Sequence, residues 1–504
     1  MCGILAVFGN DIPLSTHLRA LAHLESRGPD FTRYQFKNNI FIAQTVLHIT
    51  GSDSYYHSTN DRTFVSFNGE IYNYQQLGDF SCDTELVAHA VMQDHSLFTK
   101  FQGPWAWAKT DFHSLTYATD PQGERCLYHY RDNDILIVAS EVTAILEYIQ
   151  PQLKSIPYDN KCWTMLEQTP WQGITRVMPG IMYQNGYPLK TLDSIWSWIR
   201  PVRTTLPEAQ EEFHRIWTQV CNDITPKEPA NISFSGGIDS ALILASIPDL
   251  EPVVLEVTGK DPVVLQVPEF LDNYQHAHLR WKTVNPQEWA EQYQEMILRT
   301  CMPAQTWSHV GKWMVAQSAG RRIIFTGLAA DELFGGYDQY QSIKYSSAGS
   351  FSAYSHSDHD NLWTRCIDAY NGDARSATLL MDYWYQVVGV DAPGHDRLGG
   401  AWGRETRNPF MHQSIMKFAL NLPFECRVNT VTKPVVRNEF LRYWPKSLML
   451  PKMGFAGHAN DSAPWLSVSI ESTGDRHRDW KQIAQRTFYD YAIQQTAVAA
   501  LDCG

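Results

Sequence analysis

Cys2 directly follows the initiator Met, and a small second residue permits removal of that Met. The exposed N-terminus then carries a thiol and a free α-amine on one residue. An α-amine with a pKa of about 7.7–8.0 acts as base toward the thiol, so one residue supplies both nucleophile and base for acyl transfer. A different chemistry is offered by Ser235-Gly236-Gly237-Ile238-Asp239-Ser240, which joins an apolar run to a helical pattern. Two glycines let the backbone approach phosphate oxygens closely. Serine hydroxyls and backbone N–H groups donate to those oxygens, and the following helix start adds a favourable dipole.

Both sites need elements that hold them. Residues 1–195 read as β-rich: short apolar runs at 2–8, 40–49, 63–67 and 135–139 are separated by Gly, Pro, Asn and Asp. Helical stretches at 14–25 and 83–92 interrupt them, the second with Asp83 or Thr84 at its N-cap. That alternation predicts stacked antiparallel sheets with helices on their outer faces, an αββα sandwich. Residues 196–206 read as a linker. From 207 onward a helix at 207–221, strands at 230–234, 252–257 and 321–326 and a helix at 240–247 predict a parallel α/β nucleotide-binding sheet, with a mostly helical remainder to residue 504. The expected organisation is therefore two domains, 1–195 and 207–504.

Composition sets the class. The 504 residues include 41 basic and 54 acidic side chains, for a net charge of −13, with no Lys/Arg cluster, which argues against nucleic acid and anionic membranes as partners. Apolar residues make up 44%, enough for a sizeable core. No apolar run approaches the roughly 18 residues of a membrane span, and MCGILAVFGN lacks the basic region of a signal peptide. Nine scattered cysteines without a CxxC pair suit reduced thiols, hence a cytoplasmic enzyme. His356, Asp358, His359 and Asp360 sit in a Ser/Gly/Ala-rich stretch and read as a solvated loop rather than a metal site.

Further motifs follow Cys2 in order: Ser26-Arg27-Gly28-Pro29-Asp30, Phe67-Asn68-Gly69-Glu70-Ile71-Tyr72-Asn73 and Cys82-Asp83-Thr84-Glu85. Asp120-Pro121-Gln122-Gly123, Leu127-Tyr128 and Ala139-Ser140-Glu141 continue the pattern. Together they resemble the glutaminase domain of the N-terminal-nucleophile (class II) amidotransferases, as found in asparagine synthetases. The resemblance implies that Cys2 attacks the amide of glutamine, and that the Asn68 side chain and the Gly69 N–H form the oxyanion hole. It also implies that Glu70 and Asp83 hold the substrate's α-ammonium, and that Arg27 orders the loop around the nucleophile.

The Ser235–Ser240 stretch is similar to the pyrophosphate loop of the N-type ATP pyrophosphatases. Gly327-Leu328-Ala329-Ala330-Asp331-Glu332-Leu333-Phe334-Gly335-Gly336-Tyr337 resembles a second element of asparagine synthetases, as do Glu405-Thr406-Arg407-Asn408-Pro409-Phe410, the Lys433-to-Arg437 segment and Lys452-Met453-Gly454-Phe455. From this resemblance Ser235, Gly236, Gly237, Ser240, Gly327 and Lys452 are expected to bind ATP or pyrophosphate, and Asp239 and Asp331 to hold Mg²⁺. The implied enzyme is a glutamine-dependent asparagine synthetase using ATP and Mg²⁺ on glutamine and aspartate. A homodimer is one arrangement that this leaves open.

Two departures bear on substrates. Where the family has an Arg that grips the glutamine α-carboxylate, this sequence has Val46, within Gln44-Thr45-Val46-Leu47-His48-Ile49. Valine cannot replace a bidentate Arg–carboxylate contact. Weaker glutamine binding, compensation by His48 and a different amide donor all remain open. Leu328 stands where many family members have Glu, and residues 259–270 are also altered, which leaves the acceptor open. The alternatives are an amide or lactam former acting on a non-aspartate acid, an ammonia-dependent variant, and a non-catalytic metabolite-binding paralogue.

Overall fold

A computed structural model describes residues 1–9, 11–49, 63–150, 152–153, 166–258, 279–342, 359–449, 462–466, 479–480 and 482–490. Lys452, residues 259–270, His356 and Asp358, all singled out above, lie outside the described residues, as do the side chains of His359 and Asp360.

The first half is built from two antiparallel sheets. The larger joins β1 (Gly3–Gly9), β2 (Phe31–Lys37), β3 (Ile40–Val46), β7 (Tyr128–Arg131), β8 (Ile135–Ala139) and β9 (Ile174–Arg176) in the order β2-β3-β1-β8-β7-β9. The smaller joins β4 (Phe64–Gly69), β5 (Trp105–Thr110), β6 (Leu115–Thr119), β10 (Ile181–Gln184) and β11 (Tyr187–Thr191) in the order β11-β10-β6-β5-β4. Period-2 alternation sorts their side chains. Ile4, Ala6, Ile42 and Val138 of one sheet meet Ala106, Ala108 and Tyr117 of the other to form the layer between the sheets. Leu5, Val7, Phe41 and Ile137 point the other way, against Ala20 and Leu21 of the helix Leu14–Ala22. Val65, Phe67 and Trp107 similarly cover Leu86, Val87 and Ala90 of the helix Asp83–Met92. The result is the expected αββα sandwich.

One local expectation fails. Asp83 and Thr84 do not cap the helix they begin: Cys82 is the N-cap, and no side chain bonds there. The Asp83 carboxylate instead accepts the N–H of Ile71 at 3.2 Å, tying the helix to the turn after β4.

The second half centres on a parallel sheet of β12 (Ala230–Ser233), β13 (Leu250–Val257), β14 (Arg280–Val284), β15 (Ile323–Phe325) and β16 (Glu405–Arg407), ordered β14-β13-β12-β15-β16. Leu250 and Val254 pack with Phe213 and Trp217 of the helix Leu206–Ile224. Val253, Leu255 and Val257 face the opposite way, toward Trp289 and Trp313 of the helices Pro286–Thr300 and Trp307–Ser318. Helices thus cover both faces, as a parallel sheet requires. The helix Leu206–Ile224 starts at a capping box in which Thr205 N–H donates to Glu208 at 2.8 Å. The strand order reverses between β12 and β15, so the crevice at their carboxyl ends is where such a sheet binds ligands.

The seven cysteines among the described residues are free thiols. Among those residues, no helix is long and apolar enough to cross a membrane.

Candidate active sites

The first site lies at the edge of the sandwich where β1, β3 and β4 begin or end. Cys2 immediately precedes β1, and its N–H donates to Asn68 Oδ1 at 2.9 Å. This bond orients the Asn68 amide, leaving Nδ2 buried with no hydrogen-bond partner among the described residues. A buried unpaired donor is disfavoured unless a ligand satisfies it. Gly69 follows with φ +156°, and a Cβ there would lie 2.2 Å from the Pro104 carbonyl oxygen, so only glycine fits. Burial pushes the Cys2 thiol up, opposed by the chain-terminal amine, the Leu47 N–H and the Gln44 side chain. Gln44 is itself held on both ends by Phe67, donating to its carbonyl at 2.8 Å and accepting its N–H at 3.3 Å.

Arg27 secures the nucleophile from behind. Its Nε donates to the Cys2 carbonyl at 3.0 Å, and its other nitrogens engage Glu141 and Asp396. The Met1 amine is also buried, which lowers its pKa to about 5. Burying an ammonium is unfavourable.

A cleft opens beside Cys2. Cys2, Val46, Gly69, Glu70 and Asp83 line it, whereas Asn68 lies buried behind the wall and meets the site through its bond to Cys2. Asp83 is buried, and its carboxyl is raised well above the usual range, first by burial and then by the neighbouring Glu70 charge. Glu70 lies 3.7 Å from Arg407 of β16, a residue to which the sequence reading gave no role at this site.

The second site is the crevice beyond β12 and β15. Gly236 adopts φ +75°, and the loop folds on itself through Ser235 Oγ and Ser240 Oγ, 3.2 Å apart, with Gly237 N–H donating to Ser235 Oγ at 3.3 Å. Asp239 in the first turn of the helix Ile238–Ser246 faces Asp331 in the first turn of the short helix Ala330–Phe334 that follows β15. Lys433 Nζ bridges them, 2.7 Å from Asp239 and 2.5 Å from Asp331. Gly327 packs against Asp239: a Cβ there would sit 3.0 Å from the Asp239 Cβ. At Gly336 a Cβ would lie 1.9 Å from Asp331 Oδ1 and 2.1 Å from Lys433 Cε.

Lys433 is buried and sits at φ +51°. The sequence pattern marks its segment but assigns this side chain no role. The only signal was the glycine pair Gly335-Gly336, which marks a close approach without naming what approaches. Asp239 Oδ1 is buried without a hydrogen-bond partner among the described residues, so one carboxylate oxygen is open to a cation. No group of three or more His, Cys, Asp or Glu side chains suits a metal among the described residues. Two carboxylates fit Mg²⁺, which commonly completes its shell with phosphate oxygens and water. Leu328 packs partly buried against the apolar core, and its N–H donates to Thr326 Oγ1 at 3.3 Å.

The two sites are joined by a buried polar seam. Asn408 donates to Glu124 of the first half at 2.7 Å and accepts from Thr326 at 2.6 Å, at the end of β15. Arg125 lies 3.9 Å from Asp396 and 4.0 Å from Glu405.

A family model described as a glutamine amidotransferase domain matches residues 1–190, and one described as asparagine synthase matches residues 223–499. The protein is 24% identical to asparagine synthetase (glutamine-hydrolyzing) 1 of Bacillus subtilis over 391 residues, covering 68% of this chain and 60% of that protein. It is 23% identical to the asparagine synthetase (glutamine-hydrolyzing) of Cricetulus griseus over 514 residues, covering 93% and 86%. It is also 21% identical to Amidase chry2 of Gibberella zeae over 433 residues, covering 75% and 62%.

Proposed function

Because the chain belongs to the asparagine synthase family and is an ATP-dependent amidotransferase of the C–N ligase class, we propose that it is a glutamine-hydrolysing asparagine synthetase. It converts aspartate, ATP, glutamine and water to asparagine, AMP, pyrophosphate and glutamate. Residues 1–195 form the glutaminase unit, 196–206 the linker and 207–504 the synthetase unit. The Cys2 thiolate attacks the glutamine side-chain amide, ammonia leaves, and water then releases glutamate from the thioester. Asn68 Nδ2 and the Gly69 N–H stabilise the oxyanion, while Asp83 and Glu70 hold the α-ammonium.

In the synthetase unit Ser235, Gly236, Gly237, Ser240, Gly327 and Lys452 bind the nucleotide phosphates, and Asp239 and Asp331 hold Mg²⁺. The bound ion neutralises phosphate charge. Adenylation gives the aspartate β-carboxylate AMP as leaving group, and ammonia displaces it. Lys433 keeps the two carboxylates aligned. The enzyme is cytoplasmic, and a homodimer is compatible with this reading.

The observation that carries the glutaminase half is the Asn68 amide, tied to Cys2 by its oxygen and left with an unpaired buried nitrogen. Its test compares the wild-type protein with Cys2→Ala on two nitrogen sources. Cys2→Ala is expected to lose glutamine-dependent asparagine formation and keep the ammonia-dependent reaction. Equal loss of both, or of neither, overturns the assignment.

Leu328 favours a second reading. An apolar side chain in the turn just before the helix that carries Asp331 gives an acceptor neither a charge nor a proton acceptor, which suits a non-aspartate acid in amide or lactam formation. AMP release with another carboxylic acid, and none with aspartate, would select it.

A further inference from the structure

The cleft at Cys2 has an uneven charge inventory. Glu70, Asp83 and Glu405 line it, and among the described residues that do so His48 is the one basic side chain, with no lysine or arginine. Much of the remaining lining is apolar, including Phe31, Val46 and Leu47. Two of the carboxylates are compensated from behind. Glu405 accepts from Arg407 Nε at 2.9 Å and has Arg125 at 4.0 Å, while Glu70 lies 3.7 Å from Arg407 Nη2. Asp83 accepts the Ile71 N–H, and no ion pair to it is found among the described residues.

An ammonium entering beside Asp83 therefore supplies a missing counter-charge. A carboxylate entering the same cleft leaves water to meet Asp83 and two carboxylates whose arginine partners are already engaged, with His48 the one basic side chain on the described wall and no lysine or arginine, which is unfavourable. We infer that this donor site reads the α-ammonium and the primary amide of its donor but not a free α-carboxylate. Its donor class thus extends to glutamine derivatives whose α-carboxyl is esterified or amidated, N-terminal glutaminyl peptides included. The inference rests on the amide-hydrolysing reading of Cys2. The chemistry is unchanged by the blocking group: the C–N bond of the primary amide breaks as the C–S bond forms, ammonia leaves, and water cleaves the thioester.

The test measures ammonia release by the full-length protein, with Mg-ATP and aspartate present and Cys2→Ala as the blank. Three donors are compared: L-glutamine, L-glutamine methyl ester and N-acetyl-L-glutamine. The methyl ester is expected to match or exceed glutamine in kcat/KM, and N-acetylglutamine, which lacks the ammonium, to fall about 10- to 100-fold below both, the range of a charge-assisted hydrogen bond. In Val46→Arg the order of glutamine and its ester is expected to reverse. Because that substitution enters a packed position, the wild-type ratio decides the matter alone. An ester tenfold or more below glutamine overturns the inference and leaves the amidase reading intact. No release above the blank from any donor overturns both.

Discussion

Arg27 and Asp396 are 369 residues apart in sequence, yet Arg27 Nη2 lies 3.0 and 3.1 Å from the two Asp396 carboxylate oxygens, with both side chains sealed from solvent. The same guanidinium holds the Cys2 carbonyl and pairs with Glu141. One arginine therefore couples the nucleophile's backbone to the second half of the molecule. Removing one partner of a buried pair strands the other charge, at about 3–5 kcal/mol. Arg27→Ala is expected to lower thermal stability accordingly and to reduce glutamine hydrolysis. Calorimetry and ammonia release measure the two effects, and an unchanged melting temperature would show that the pair carries no net stabilisation.

Lys433 is the counter-ion of Asp239 and Asp331. Lys433→Met leaves two carboxylates facing each other and is expected to cut AMP formation about 100-fold, as loss of a charge-assisted contact near a reacting phosphate does. Ammonia release from glutamine at the other site should persist. Lys433→Arg is not expected to rescue AMP formation, because the tight approach at Gly336 leaves no room for a guanidinium. Full activity in the Arg variant would show that charge alone suffices.

Asn68→Ala removes the unpaired amide nitrogen together with the acceptor of the Cys2 N–H, while the Arg27 bond to the Cys2 carbonyl remains. Glutamine-dependent turnover is expected to fall about 10²–10³-fold, the usual effect of losing an oxyanion donor. Ammonia-dependent turnover should be unchanged. Steady-state kinetics with the two nitrogen sources separates these outcomes.

Glu124 carries a pH signature. Burial, reinforced by the Asp120 charge, raises its carboxyl to about 8, although Asn408 donates to it. A folded-state value above the unfolded one means the native state binds the proton more tightly. The associated stability is fully present below the unfolded carboxylate range and is lost as pH rises through about 8. Glu124→Gln is expected to flatten the fall in melting temperature between about pH 5 and pH 8. Parallel slopes for the two proteins would contradict this.

The legible parts of the molecule were those whose chemistry is local. Ser235 to Ser240 lies in one turn between a strand and a helix, so spacing alone exposes it. Asn68-Gly69 was legible only through the motif around it, since the Pro104 carbonyl that demands the glycine lies beside the neighbouring strand. Lys433 was not legible as a counter-ion, because Asp239 lies 194 residues away and only the fold brings them together. The Asn408–Glu124 bond spans 284 residues and was hidden for the same reason. Asp before a helical pattern favours a capping role, whereas tertiary packing turns the Asp83 carboxylate toward Ile71.

The most direct measurement follows the donor nitrogen from one site to the other. With amide-¹⁵N glutamine as sole nitrogen source, aspartate and Mg-ATP, mass spectrometry should find ¹⁵N-asparagine, AMP and pyrophosphate in equal amounts. Glutamate and AMP formation without labelled asparagine, or no AMP at all, would contradict the proposal that the Cys2 and Asp239–Asp331 sites together make asparagine.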